Sequence, residues 1–151
     1  MQSKQWYAFI ALLLLVVMAI YFYLHPSYRL SLEAKIFYTI KEYENAYEVA
    51  SSAYELNHYN NMAFTIMVQS KNALRHEAYI KRAKEYYERI EQISAKDTVS
   101  SADKIRIKML CEVILAEYKK LNPTRLTDKE LVQEAKQQND RFQTLYDSIF
   151  G

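Results

Sequence analysis

The distribution of apolar residues separates a short N-terminal run from the rest of the chain. Trp6–Leu24 is an unbroken series of apolar and aromatic residues without a charge, glycine or proline. From Ser27 onward, apolar residues are mixed with polar and charged ones. As a helix, the first run would be about 28 Å long, which is close to the hydrocarbon thickness of a bilayer. We therefore predict a polar tail at residues 1–5, a transmembrane helix at residues 6–24 and a helical domain at residues 27–151.

A cleaved signal peptide is the alternative interpretation of the same run. Val17 and Ala19 would then occupy the small-residue positions before the cleavage site. The apolar residues continue past Ala19 to Leu24, which favours an uncleaved anchor. Trp6 at one end of the run and tyrosines at the other are typical of residues at a membrane interface.

The charges around the run give only a small preference for its orientation. Lys4 precedes it, and Arg29, Lys35 and Lys41 follow it, so a simple count of positive charges would leave the domain in the cytoplasm. A very short tail before a single span is typical of a bacterial signal anchor whose domain is exported. We expect a single-pass protein of the bacterial inner membrane with its domain on the periplasmic side.

Beyond the run, apolar residues recur three and four positions apart, a spacing that places them on one face of a helix. The pattern predicts about six helices after the span. Their apolar stripes are, in chain order, Leu30, Ala34, Phe37 and Tyr38; Tyr43, Ala46, Ala50, Ala53 and Leu56; Phe64, Met67 and Val68; Ala83, Tyr87, Ile90 and Ile93; Ile105, Met109, Val113, Leu115 and Tyr118; and Leu131, Ala135, Phe142, Leu145 and Ile149.

Polar segments predict where these helices begin and end. A turn is expected at residues 57–60, a second near Arg75 to Tyr79, and a break at residues 94–100. Ser100 or Ser101 can cap the helix that follows this break. Thr127 and Glu130 have the spacing of a capping box at the start of the last helix.

The residues from Lys41 to Asn60 resemble the second helix of a tetratricopeptide (TPR) repeat. A tyrosine precedes a series of alanines that would allow a neighbouring helix to approach closely. The positions that match the pattern are Tyr43, Ala46, Ala50, Ala53, Leu56 and Asn57, and a second, weaker match follows at Ala83, Tyr87 and Ile90. The resemblance implies a stack of helical hairpins whose first helices line a concave face that binds a protein. Carried over by register, the partner-binding positions on that face are Lys35, Tyr38, Thr65, Gln69 and Asn72.

Composition supports the all-α class and narrows the function. One glycine and two prolines leave almost no residues for the tight turns that sheets require. The formal net charge is +2, with 20 basic and 18 acidic residues, which gives no electrostatic argument for binding nucleic acid. The only cysteine, Cys111, cannot form an intrachain disulfide and is expected to be a small buried apolar residue.

The sequence contains no recognisable catalytic constellation. His76-Glu77 begins like the zinc-protease motif, but Ile80 stands where the second histidine is required, so His76 is expected to be a partly exposed residue near a helix end. Carboxylate pairs such as Glu42 and Glu44 lie among basic residues, as on solvated faces. We expect no enzyme activity, no metal or other cofactor and no small-molecule substrate.

Two functions fit these observations. The first is a membrane-anchored, TPR-like scaffold or adaptor that binds a protein partner and helps to assemble or position a cell-envelope complex. The second is a small structural subunit that is permanently buried in a membrane protein complex.

Overall fold

The computed structural model describes residues 2–96 and 98–151, with side chains from Trp6 onward, and the all-α prediction is confirmed. The described residues form six helices and no strand. The helices are α1 (Gln2–Leu24), α2 (Pro26–Thr39), α3 (Tyr43–Leu56), α4 (Asn61–Ser94), α5 (Ser101–Tyr118) and α6 (Lys129–Phe150). The chain divides into two compact units, Met1–Lys71 and Asn72–Gly151, so that α4 contributes its first residues to unit 1 and the remainder to unit 2.

Helix α1 contains the apolar run identified from the sequence. Trp6–Leu24 is long and apolar enough to cross a membrane, and none of it is buried within the protein. A single residue, His25, separates α1 from α2, and Pro26 occupies the first turn of α2, where its missing N–H needs no partner. The helical domain therefore begins directly after the membrane-spanning candidate.

In unit 1, α2 and α3 form a hairpin whose contact surface consists of small residues. Ala34 of α2 and Ala46, Ala50 and Ala53 of α3 are fully buried, and Ile66 of α4 joins the same core. A face of alanines allows close approach of the two helix backbones. Leu56, predicted to belong to this stripe, is instead 59% exposed, because it lies at the edge of the stripe in the last turn of α3.

The turn between α2 and α3 closes in a Schellman arrangement. The N–H of Glu42 donates to the carbonyl of Phe37 at 2.9 Å, and the N–H of Lys41 donates to that of Tyr38 at 3.1 Å. Lys41 adopts a φ of 66°, the left-handed conformation that this motif requires and that glycine usually provides. Helix α3 consequently starts at Tyr43 rather than at Lys41.

A buried polar cluster holds the start of α2 against the start of α4. The side-chain amide of Asn60 donates to Ser27 Oγ at 2.8 Å and to Ser31 Oγ at 2.7 Å, while its oxygen accepts from the N–H of Ala63 at 3.1 Å. Ser27 Oγ donates in turn to the carbonyl of Ala53 at 2.7 Å. Asn60 was predicted only as a turn residue; it also caps α4 and satisfies two buried hydroxyls.

Helix α4 runs without interruption through the predicted turn near Arg75 to Tyr79, so that prediction is wrong. This segment contains no glycine, proline or asparagine, and its residues favour helix. His76 lies in the middle of the helix, 1% exposed, with Nδ1 at 2.8 Å from the carbonyl oxygen of Asn72. The prediction of a partly exposed histidine near a helix end is therefore also wrong. In the part of the chain that the structure describes, five helices, rather than about six, follow α1.

Unit 2 is built from the later part of α4 together with α5 and α6. Its core contains the following residues: Tyr79, Ile80, Ala83, Ile90, Ile107, Cys111, Ile114, Ala135 and Phe142. The prediction for Cys111 is confirmed, since it is fully buried and burial raises the pKa of its thiol to about 11, with the neighbouring Glu112 acting in the same direction.

The ends of α5 and α6 show which capping predictions hold. Ser100 caps α5 in a reciprocal capping box with Asp103, which agrees with the prediction. Asp128, not Thr127, caps α6 by accepting from the N–H of Glu130 at 2.8 Å. Thr127 is buried and accepts from the N–H of Thr124 at 2.8 Å, so its hydroxyl holds the preceding loop instead.

Candidate functional site

The residues predicted to form a concave binding face differ in their exposure and in their contacts. Lys35 and Thr65 are exposed, and Tyr38 is half-buried with its ring 5.5 Å from the ring of Tyr43. Gln69 is only 9% exposed. Asn72, which belongs to unit 2, donates to the carbonyl of Asn122 at 2.8 Å. The two amides that were expected to hydrogen-bond a peptide are therefore a buried residue and a residue that holds a loop.

Unit 2 carries an apolar groove between α4 and α5. The cavity has a volume of about 580 Å³. Its lining residues are Tyr86, Arg89, Gln92, Ile93 and Lys96 from α4 and its end, and Arg106, Met109, Leu110 and Val113 from α5. On each helix these residues recur at helical spacing, about a third of a turn around from the residues that enter the core. The groove is thus a second apolar face of the α4–α5 pair, beside the face that α6 covers.

The floor of the groove comes from an apolar stripe that the sequence assigned to the core. Ile105, Met109 and Val113 were predicted to be the buried stripe of α5, and all three are exposed. Ile107, Cys111 and Ile114 are buried instead. Helix α5 thus carries two apolar stripes, of which one is buried in the core of unit 2 and the other is exposed. Met109 and Val113 line the groove, and the thioether of Met109 can adapt to differently shaped apolar surfaces.

Three basic side chains surround this apolar floor. Arg89, Lys96 and Arg106 line the groove, and its described lining residues include no acid. The guanidinium carbon of Arg89 lies 5.6 Å from the ring centre of Tyr86, a cation–π geometry that positions the charge along the rim. The groove therefore combines an apolar floor with a cationic edge.

Asp103 organises the end of the groove nearest the loop between α4 and α5. Its carboxylate lies 3.1 Å from Nζ of Lys96 and 3.7 Å from a guanidinium nitrogen of Arg106. The hydrogen bond from Lys96, followed by that from Ser100, lowers the pKa of Asp103. One carboxylate thus fixes two rim cations while it caps α5, and it neutralises only part of their charge.

Two other depressions in unit 2 differ from the groove because ion pairs cross them. Arg82 and Glu117 form a salt bridge beside one, and Lys84 pairs with Glu134 at 2.6 Å in the other. Each depression is lined by both basic and acidic side chains, which satisfy one another. The groove at Met109 is the more apolar surface and the better candidate for binding.

The repeat-packing residues lie mainly inside the two units. Tyr43, Ala46, Ala50 and Ala53 are buried in unit 1. In unit 2, Ala83 and Ile90 are buried and Tyr87 is half-buried, with its ring over the guanidinium of Arg141 at 3.2 Å. These alanines and aromatic residues build the cores and do not form a binding surface.

The groove was not predicted because one apolar stripe was expected on each helix. The available signal was the excess of apolar residues on α5, where Ile105, Met109 and Val113 are offset from Ile107, Cys111 and Ile114. A helix of a small unit that is apolar on two faces has one more face than a three-helix packing can bury.

Comparison of the chain with protein-family models, curated proteins and solved structures finds no match.

Proposed function

We propose that this protein is a membrane-anchored adaptor that binds a protein partner through the groove between α4 and α5. The observation that carries the proposal is the groove itself, in which exposed apolar side chains of α5 form a floor beside a cationic rim. Grooves with an apolar centre and a polar edge have the anatomy of protein–protein interfaces. The partner belongs to a membrane-associated assembly.

The N-terminal helix supplies the second part of the proposal. Trp6–Leu24 has the length and apolarity of a single span, and α2 begins two residues after it. A domain attached so closely to a membrane samples a narrow layer, which raises the effective concentration of partners in that layer. We propose the inner membrane of a bacterium, with the domain in the periplasm, as the setting.

We propose a TPR-like hairpin for unit 1 only. The α2–α3 pair has the buried tyrosine and alanines on which the resemblance rests. Residues 61–94 form one helix, so they do not supply a second hairpin. The proposed partner site accordingly lies in unit 2 and not on a concave face made by first helices.

A second function, that of a permanent subunit, is favoured by a separate observation. Leu32, Ile36 and Ile40 are exposed at intervals of four residues along and just past α2. An aliphatic stripe of this kind is commonly covered in a stable complex. Under this alternative the partner would never dissociate, and both apolar surfaces would be buried together.

Co-purification with matched variants tests the proposal. The tagged full-length chain is extracted in mild detergent, and its associated proteins are quantified by mass spectrometry with increasing salt. Met109→Asp should remove the partner, whereas Ile105→Asp should not, because the two residues are 59% and 60% exposed on the same helix and only Met109 lines the groove.

The result also separates the two functions. A partner that leaves at moderate salt supports an adaptor, and one that remains at fixed stoichiometry through high salt supports a permanent subunit. Equal retention of all partners by Met109→Asp and Ile105→Asp would contradict the proposed site.

A further inference from the structure

We infer that the segment that occupies the groove is an amphipathic helix with acidic residues along its edges. This inference rests on the proposed function and adds the conformation and charge of the partner segment. It is derived from the geometry of the groove walls and from the charges on the rim.

The walls of the groove favour a helical occupant over an extended one. Both walls are helices, whose backbone N–H and C=O groups are already paired within α4 and α5. The floor residues Ile93, Met109, Leu110 and Val113 offer no hydrogen bond to a backbone. An extended peptide would leave its own backbone groups unpaired over this floor, whereas a helix satisfies them internally.

The dimensions of the groove also agree with a helical occupant. Its lining extends from Tyr86 of α4 to Lys96, two residues past the end of that helix, a length of about 15 Å at the helical rise, or roughly three turns. A helix of about eleven residues fills this length. In that position it would pack against α4 and α5 as a fourth helix beside the three of unit 2.

The charges on the rim determine which side chains should flank the apolar face of the partner. Arg89 and Lys96 are seven residues apart on the α4 side, about two helical turns, and Arg106 faces them from α5. Asp103 offsets part of the charge of Lys96 and Arg106, while Arg89 makes a cation–π contact with Tyr86. Carboxylates on both edges of the partner, about two turns apart on one edge, would complement these cations.

An anionic membrane surface shares the charge but not the shape of such a partner. Leu110 and Ile93 are only partly exposed within a concave groove. A broad lipid headgroup layer reaches recessed side chains less well than a single helix does. The occupant is therefore a protein helix, and binding to a lipid surface would give a different result in the experiment below.

Fluorescence anisotropy with two designed peptides tests the inference on the full-length chain in uncharged detergent micelles. Each peptide has about sixteen residues with leucines on one helical face; one carries glutamates along both edges, and the other carries lysines at the same positions. The glutamate peptide should bind at least about tenfold more tightly than the lysine peptide. Arg89→Glu should weaken binding of the glutamate peptide by about tenfold, and Met109→Asp should remove it.

Controls isolate the groove from the overall charge of the protein. Lys136→Glu makes the same charge change as Arg89→Glu in the exposed part of α6 outside the groove lining, and it should leave binding unchanged. A peptide of identical composition with its leucines distributed around the helix should bind at least about tenfold more weakly, since it lacks an apolar face. Circular dichroism of each variant excludes loss of fold as the cause of a loss of binding.

The outcomes have distinct meanings. Equal binding of the two peptides, or equal effects of Arg89→Glu and Lys136→Glu, would overturn the inference. Displacement of the glutamate peptide by phosphatidylglycerol vesicles, but not by phosphatidylcholine vesicles, would overturn it in favour of a lipid surface. If neither peptide bound while Met109→Asp still removed a co-purifying protein, the acidic helix would be wrong and the proposed function would stand.

Discussion

Replacing Asn60 by alanine tests whether the buried polar cluster holds unit 1 together. Asn60 donates to Ser27 Oγ and Ser31 Oγ and accepts from the N–H of Ala63. Loss of an asparagine N-cap costs about 1 kcal/mol, and each lost hydrogen bond to a buried hydroxyl costs about 0.5–1.5 kcal/mol. The variant should therefore destabilise unit 1 by about 2–4 kcal/mol.

The directions of the two serine hydrogen bonds make Asn60→Asp an informative second variant. Ser27 Oγ donates to the carbonyl of Ala53, and Ser31 Oγ donates to that of Ser27, so both hydroxyls can only accept from residue 60. Aspartate keeps the cap on Ala63 but offers no donor to either serine. Asn60→Asp should lower the free energy of unfolding of unit 1 at least as much as Asn60→Ala does, because a buried carboxylate would face two oxygen atoms. A role limited to helix capping would instead leave Asn60→Asp close to wild type.

Hydrogen exchange measured by mass spectrometry on the full-length chain in detergent is the assay. A loss of about 2–4 kcal/mol corresponds to exchange about 30- to 700-fold faster in the protected amides of α2 and α3. Peptides from α5 and α6 are an internal reference, because unit 2 has its own core. Asn61→Ala changes an exposed neighbour and should have little effect. Unchanged protection in Asn60→Ala, or equal effects of Asn60→Ala and Asn61→Ala, would contradict a stabilising role for the buried polar cluster.

Three further predictions follow from the same structure. Ala53→Leu should destabilise unit 1 by about 1–3 kcal/mol through overpacking, whereas Ser52→Leu on the exposed side of α3 should not, and equal melting temperatures would contradict the packing. Because the pKa of Asp103 is lowered in the folded state, its stabilising effect is present above the unfolded pKa and is lost as the pH falls through the folded one. The protection of amides at the start of α5, taken relative to the intrinsic exchange rate at each pH, should therefore fall on acidification, and Asp103→Asn should remove that dependence. Trp6–Leu24 should be retained in the mature protein and should resist carbonate extraction, and an intact mass showing cleavage after Ala19 would contradict an uncleaved anchor.

Elements with one clear apolar stripe were predictable from sequence. The alanine face of α3 and the cap at Ser100 lie where the spacing and the capping residue place them. The buried face of α5 was harder to predict. Periodicity shows that two faces of this helix are apolar, but it cannot show which of them packs against other helices. That choice depends on the positions of α4 and α6, which are contacts distant in sequence.

The errors in α4 and at Asn60 have a different origin. A repeat pattern implied a turn near Arg75, but local residue preferences there favour helix, and α4 continues. Asn60 carried a recognisable capping signal, yet its bonds to Ser27 and Ser31 join residues about thirty positions apart. No local pattern reports such a pairing, so the cluster could be found only in the folded structure.

Site-specific photocrosslinking in native membranes tests most directly whether the groove is a binding site. A photoreactive residue is placed at Met109 and, as a matched control, at Ile105, which is equally exposed on the same helix but does not line the groove. We expect a discrete protein adduct from position 109 that is absent from position 105 and lost when Arg89→Glu is added. No adduct from position 109, or the same adducts from both positions, would contradict it.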